Sequence, residues 1–166
     1  GPLFAYVAYN APHYPMHAPA EWMAKFEHLP WERQVMAAMI ACVDHGVGRI
    51  VAALEETGRL DDTIILFSSD NGPSREQRNW LAGEEIAYPG GSTGGLRGAK
   101  GSLYEGGIRV PTIWHWPGGL PAGVVSELPG QMSDVLPTVL SAIGVEHPAD
   151  IDGQDLLAQL RGGEAG

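Results

Sequence analysis

Apolar residues follow two distinct spacings along this chain, and their order predicts its architecture. From Arg33 to Thr57, the residues Met36, Met39, Ile40, Val43, Val47, Ile50, Val51 and Leu54 recur at steps of three and four. That spacing predicts a long amphipathic helix with one apolar face. Gly58 is placed to stop it, while Gly46 and Gly48 each weaken its interior by up to about 1 kcal/mol relative to alanine. Two shorter runs lack the helical period. Leu3 to Tyr9 (LFAYVAY) closes on Asn10-Ala11-Pro12, and Thr63 to Ser68 (TIILFS) lies between Asp61-Asp62 and Asn71-Gly72-Pro73. Both read as buried strands, the second covered on both faces as in a parallel sheet. Strand, helix and strand in this order predict a βαβ unit with a right-handed crossover.

Val110 to Trp116 (VPTIWHW) reads as a further strand, which Pro111 confines to an edge or to its first positions. Ser133 is placed to cap a helix from Asp134 to Ile143, with Pro137 in its first turn and Gly144 at its end. A short last helix is expected over Asp155 to Leu160. Prolines 12, 15 and 19 keep the stretch after Tyr9 irregular, and eight glycines in residues 90–107 do the same for the segment before Val110. The expected fold is α/β, a largely parallel sheet with flanking helices. Ligands of such sheets bind beyond the carboxyl ends of the strands. That rule selects the loop after Tyr9, the loop after Ser69, and whatever the glycine-rich segment brings near them.

Composition narrows the function classes. At 166 residues the chain is one domain or a piece of a larger one. Its net charge of −10 is unsuited to wrapping nucleic acid or an acidic membrane surface. Residues 71–110 depart from that balance, with five basic residues against four acidic ones, half of all the basic residues present. Such a stretch suits a small anionic ligand, or is an ordinary solvated loop. No uninterrupted apolar run approaches the roughly 18 residues of a membrane span. The single cysteine, Cys42, leaves no internal disulfide and no cysteine-cluster zinc site.

Three segments carry candidate chemistry. Asp70 and Asn71 are adjacent hard oxygen donors suited to Ca²⁺ or Mg²⁺, provided that the chain leaves its strand at Gly72-Pro73. The alternative is an Asx-type turn bonded to nearby backbone. His13 follows the first strand, where an imidazole can bond an anion or protonate a leaving group; a loop histidine tied to backbone fits equally. Pro15 rules out a helical metal pair between His13 and His17. Lys100 is flanked by glycines that allow close approach of backbone to a ligand, or simply a flexible hairpin. Its Ala-Lys-Gly context is not a P-loop.

Taken in order, YNAPHYP, VDHGVGRIVAALEETG, DDTIILFSSDNGP, LRGAKGSLYEGGIRVP, WPG, SDVLPTVLSAIGV and IDGQDLL resemble the C-terminal portion of a sulfatase catalytic domain, of the alkaline-phosphatase-like superfamily. The resemblance covers nearly all of residues 1–166. It implies an incomplete domain whose N-terminal part lies outside this chain and would be its partner. It implies hydrolysis of sulfate esters, on a small molecule or a glycan, with no nucleic acid and no membrane. Asp70 and Asn71 would ligate a divalent cation, usually calcium with magnesium possible, and Lys100 and His13 would bind the sulfate and act in catalysis. Glu105 and Arg109 would hold the loop, and loops such as Trp80 to Tyr88 would set specificity. The family is commonly periplasmic, secreted or lysosomal.

Family members use a formylglycine made from a Cys/Ser-x-Pro-x-Arg motif, which this chain lacks. Cys42 lies inside the predicted helix, and Asn71-Gly72-Pro73-Ser74-Arg75 holds an asparagine at the modifiable position. The paired N-terminal aspartate ligands are absent too, so the chain alone is expected to be inactive. Two other readings stay open. One is a phosphodiesterase or phosphotransferase of the same superfamily, which Asn71 in place of a histidine ligand disfavours. The other is a truncated, non-catalytic domain that binds an anion or a partner.

Overall fold

A computed structural model describes residues 1–75 and 90–162; the Trp80 to Tyr88 segment lies outside the described residues. The chain divides into two units, Gly1–Ala53 with Ser69–Pro111, and Leu54–Ser68 with Thr112–Gly166.

The first unit is organised by helices. Pro19 precedes a single turn, α1 (Ala20–Met23), which tightens into a 3-10 turn over Ala24–Phe26. The long helix α2 spans Trp31–Glu56. Its first amides, on Arg33 and Gln34, both donate to the Pro30 carbonyl at 2.8 Å. α2 starts ahead of the expected Arg33 because Trp31 is 43% exposed and lies off the apolar stripe, leaving no mark in the periodicity. Val35 and Met39 bury against Met16 from the preceding loop, with Ala11, Tyr14, Ala18, Met23 and Met36 packed around them. Along the predicted stripe Ile40 and Ile50 are exposed while Val43, Val47, Val51 and Leu54 are half-buried, so only Met39 of that stripe is fully covered. Gly46 is not merely a weak point, because the Tyr9 phenol lies where its Cβ would stand. The 26 residues of α2 are long and apolar enough, by length and composition, to cross a membrane. Against insertion stand Asp44 and Arg49, both exposed in its interior, each costing about 2.5–3.5 kcal/mol at a bilayer centre.

Leu3 to Tyr9 is not a strand. Residues 1–10 are irregular and exposed, with Leu3 at 75%, Phe4 at 90% and Tyr6 at 85%. A strand needs a neighbour to accept its backbone hydrogen bonds, and among the described residues none lies beside it. The βαβ unit is therefore absent as well.

In the second unit β1 (Ile65–Ser68) pairs with β2 (Thr112–His115). The pairing is antiparallel, in the register Leu66↔Trp114 and Phe67↔Ile113, which corrects the expected parallel sheet. An apolar run reports burial and carries no information about strand direction. Here Phe67 and Ile113 face solvent, at 41% and 57% exposure, so the run was not covered on both faces either. β2 begins directly after Pro111, as a residue without an N–H requires. Gly58, at φ +65°, ends α2 in a Schellman pair: its N–H donates to Glu55 and the Arg59 N–H to Leu54.

The last helices are locked by side chains that the sequence pattern did not single out. A 3-10 turn over Met132–Asp134 leads into α4 (Val135–Ala142), and the cap lies at Gln131 instead of Ser133. The buried Asp134 carboxylate accepts the Gln131 amide at 2.7 Å and the Gln154 amide at 2.8 Å. Thr138 accepts the Leu156 amide at 3.0 Å, tying α4 to the segment that enters α5 (Leu157–Leu160). Gly144 ends α4 as expected, donating to Ser141 at 3.1 Å.

Two outcomes follow from this packing. Asp134→Ala strands two partly buried amides and is expected to cost about 1–3 kcal/mol, read as a lower urea midpoint at fixed protein concentration; an unchanged midpoint would contradict the lock. Apolar surface is the second source. Few apolar side chains are buried among the described residues, while Leu3, Phe4, Tyr6, Leu103 and Val125 are at least 75% exposed. The isolated chain is therefore expected to self-associate and to bind an apolar dye. Light scattering that returns a monomer at all concentrations, with no dye bound, would contradict this.

Candidate functional site

Three loop segments of the first unit meet, and backbone contacts bring them together. The turn at residues 11–15 is anchored because Ala11 and Tyr14 pack on the cluster of Met16, Val35 and Met39. Its centre is closed by the His13 amide donating to the Asn10 carbonyl at 2.9 Å. The exposed His13 ring bonds through Nδ1 to the Tyr14 carbonyl at 2.7 Å and lies 4.4 Å from the Tyr14 ring centroid. His17 is turned to its own loop, bonded to the Pro15 carbonyl at 3.0 Å.

The glycine-rich segment folds on itself before it reaches the other loops. The Gly106 amide donates to Arg97 at 2.8 Å, and the Ser102 amide to Ala99 at 3.0 Å. A single helical turn, α3 (Glu105–Ile108), closes the segment where the glycines had predicted only loop. Arg97 stacks over the Tyr104 ring at 3.8 Å. Glu105 and Arg109 pair at 3.6 Å within this turn, both more than half exposed, so they hold it only weakly.

This folded loop is then tied to the segment beyond Asn71. The Gly72 amide donates to the Gly107 carbonyl at 2.9 Å, and the Lys100 amide to the Pro73 carbonyl at 3.0 Å. A Cβ on Gly72 would collide with the Gly106 carbonyl, and one on Gly107 with the Ser102 and Ala99 carbonyls, the latter at 2.5 Å. Glycine is thus required at Gly72 by its approach to residues 106–107, and at Gly107 by the fold of the loop itself. The Lys100 ammonium comes within 3.1 Å of His13 Nε2, across 87 residues of sequence.

Asp70 and Asn71 are placed by the same segment but make no hydrogen bond to His13 or Lys100 among the described residues. The Asn71 amide donates through Nδ2 to the Gly72 carbonyl at 2.8 Å, while Ser69 Oγ donates to the Asn71 carbonyl at 2.9 Å. That leaves Asn71 Oδ1 and the exposed Asp70 carboxylate as adjacent hard oxygens. Their chemistry fits a hard divalent cation. They are two donors of the roughly six to eight that calcium takes, and no three His, Cys, Asp or Glu side chains gather into a metal site among the described residues. Cys42 sits in α2, where burial and the charge of Glu21 push its thiol up, with Lys25 opposing them. It is no poised thiolate.

The sequence profile of the sulfatase family matches residues 1–145. The chain is 36% identical to human (Homo sapiens) arylsulfatase D over 99% of its own length and 27% of that protein. It is 45% identical to mouse (Mus musculus) steryl-sulfatase over 72% of its length and 19% of that protein. It thus spans less than a third of these relatives. Among solved structures, that of Ps i-CgsB with k-i-k-neocarrahexaose is similar at a TM-score of 0.80 and 35% identity, over 96% of this chain and 34% of that one. BT4656, in complex with its substrate D-glucosamine-2-N,6-O-disulfate, is similar at 0.56 and 31% identity, over 79% of this chain and 24% of that one. The phosphonate monoester hydrolase SpPMH from Silicibacter pomeroyi follows at 0.60 and 30%, over 80% of this chain and 23% of that one.

The close approach at Gly72 and Gly107 is testable without any assay of activity. Gly72→Ala is expected to force residues 99–107 off residues 72–73 and to abolish the His13–Lys100 contact. The readout is the histidine NMR spectrum, with Gly48→Ala as a control at a position with open space around it and no left-handed backbone. An unchanged His13 signal in Gly72→Ala would show that the loop holds Lys100 by other means.

Proposed function

Since this chain belongs to the sulfatase family, we propose that it contributes the His13–Lys100 part of a site that cleaves sulfate esters. One observation carries the reading: a lysine and a histidine from distant loops converge at a glycine-rich segment. In this reading Lys100 offsets negative charge on the sulfate oxygens, and His13 donates to the bridging oxygen as the alcohol leaves. Asp70 and Asn71 hold one side of a calcium or magnesium ion, which when bound draws charge from the same oxygens. The remaining ligands and the formylglycine come from polypeptide outside these 166 residues, the N-terminal part of the same domain. That part also covers the exposed apolar side chains of Leu3 to Tyr9. A sulfated sugar is the substrate class best supported, since BT4656 is bound to a sugar disulfate as its substrate.

A second reading rests on the similarity to SpPMH, a phosphonate monoester hydrolase. The same histidine and lysine would serve a phosphoryl or phosphonyl group. Rates on an aryl sulfate and an aryl phosphonate, compared on the complete protein, separate the two.

The chain alone is expected to show no turnover of an aryl sulfate. In the complete protein, Lys100→Ala is expected to lower kcat/KM by roughly 10²–10³-fold while the melting temperature stays within a few degrees. Loss of folding with activity per folded molecule retained would make Lys100 structural and remove the proposal.

A further inference from the structure

We infer that an oxyanion entering between His13 and Lys100 is bound together with one proton, which is taken up at His13 Nε2. The inference rests on the reading of this pair as an oxyanion site, and it assigns the protonation state in which that site rests.

The assignment follows from which partners can give a hydrogen and which cannot. A backbone carbonyl only accepts, so Nδ1, 2.7 Å from the Tyr14 oxygen, carries a hydrogen. A lysine ammonium only donates, so Nε2, 3.1 Å from Lys100 Nζ, presents its lone pair. The resting imidazole is therefore neutral and held as a single tautomer from both sides. Sulfate oxygens are acceptors only. A sulfate placed against this imidazole meets a lone pair with a lone pair, and it competes with Nε2 for the lysine hydrogens.

Proton uptake resolves both conflicts. Lys100 turns its N–H bonds from the imidazole to the anion, which frees Nε2 to take a proton from solvent. The new Nε2–H donates to a second oxygen, and the Nδ1–H bond to Tyr14 is unchanged. The two negative charges of sulfate offset the second positive charge. The groups that face the His13 ring are Lys100 from the glycine-rich loop and the Tyr14 ring from its own turn. No carboxylate is bonded to it among the described residues, so solvent is the source of the proton. In a sulfate ester the same step leaves Nε2–H directed at the ester group, so binding itself loads the acid that the departing alcohol requires.

The test uses the full 166-residue chain, labelled with ¹⁵N at its six histidines, with inorganic sulfate as probe. The His13 signals are assigned by their loss in His13→Asn. Without sulfate, the inference requires a hydrogen on Nδ1 and a bare Nε2. With saturating sulfate, both His13 nitrogens become protonated, and calorimetry in buffers of different ionisation heat counts close to one proton gained per sulfate. The sign of the linkage is fixed: one proton taken up makes affinity rise by up to about tenfold for each unit that pH falls. Lys100→Met keeps the Nδ1–H tautomer, because the Tyr14 carbonyl remains, but loses affinity for sulfate. A resting tautomer with the hydrogen on Nε2 overturns the inference. Sulfate that shifts His13 without protonating it, and with no pH dependence, overturns the inference but leaves the oxyanion site standing. No response to sulfate at any concentration overturns both.

Discussion

The contact between residues 72–73 and the loop at 99–107 is the constraint on which the candidate site depends. It is made by backbone, at a separation that excludes a side chain on Gly72. Each hydrogen bond across it contributes only about 0.5–1.5 kcal/mol net, so several act together, within the loop and from the loop to its neighbour. Their joint effect is to hold the Cα of Lys100 where a flexible side chain reaches His13. The opposing half of the pair is fixed differently. His13 cannot drift because Tyr14 and Met16, close to it on the same turn, are packed on α2. An imidazole on an anchored turn thus meets an ammonium at the end of a long side chain, an arrangement that lets the ammonium change partners without moving the fold.

Much of this was readable beforehand, for identifiable reasons. α2 was legible because its period is local, and its end was legible because Gly58 adopts a conformation that other residues resist. β1 and β2 were found near their true positions from β-branched runs and from Pro111. Their antiparallel pairing was not, since strand direction is decided by the chain's return path and leaves no trace in a six-residue run. Leu3 to Tyr9 shows the converse: its composition asks for a strand, but composition cannot supply the neighbour that a strand requires. The cap at Gln131 and Asp134 was missed because Ser133 has the commoner capping side chain, while the geometry gave that role to a carboxylate bonded on both sides.

The candidate residues divide in the same way. His13 and Lys100 were singled out as separate loops, and the structure brings their side chains into contact. Asp70 and Asn71 are linked to that loop through the neighbouring Gly72 and Pro73 only, and their ligand role is a proposal resting on donor chemistry. A backbone bond at His13 was one of the two expected readings, but the Tyr14 carbonyl that makes it could not be named, because a backbone acceptor leaves no signature in sequence. The exposed apolar side chains, together with relatives in which the matching segment is under a third of the length, agree with a domain completed by further polypeptide.

The central claim is that one tetrahedral oxyanion is held between His13 and Lys100. A crystal structure of the complete protein grown with sulfate tests it most directly. The account predicts a sulfate within hydrogen-bond distance of both His13 Nε2 and Lys100 Nζ, with the Nδ1 bond to Tyr14 intact. A sulfate bound elsewhere, with the imidazole and the ammonium still bonded to each other, would contradict it.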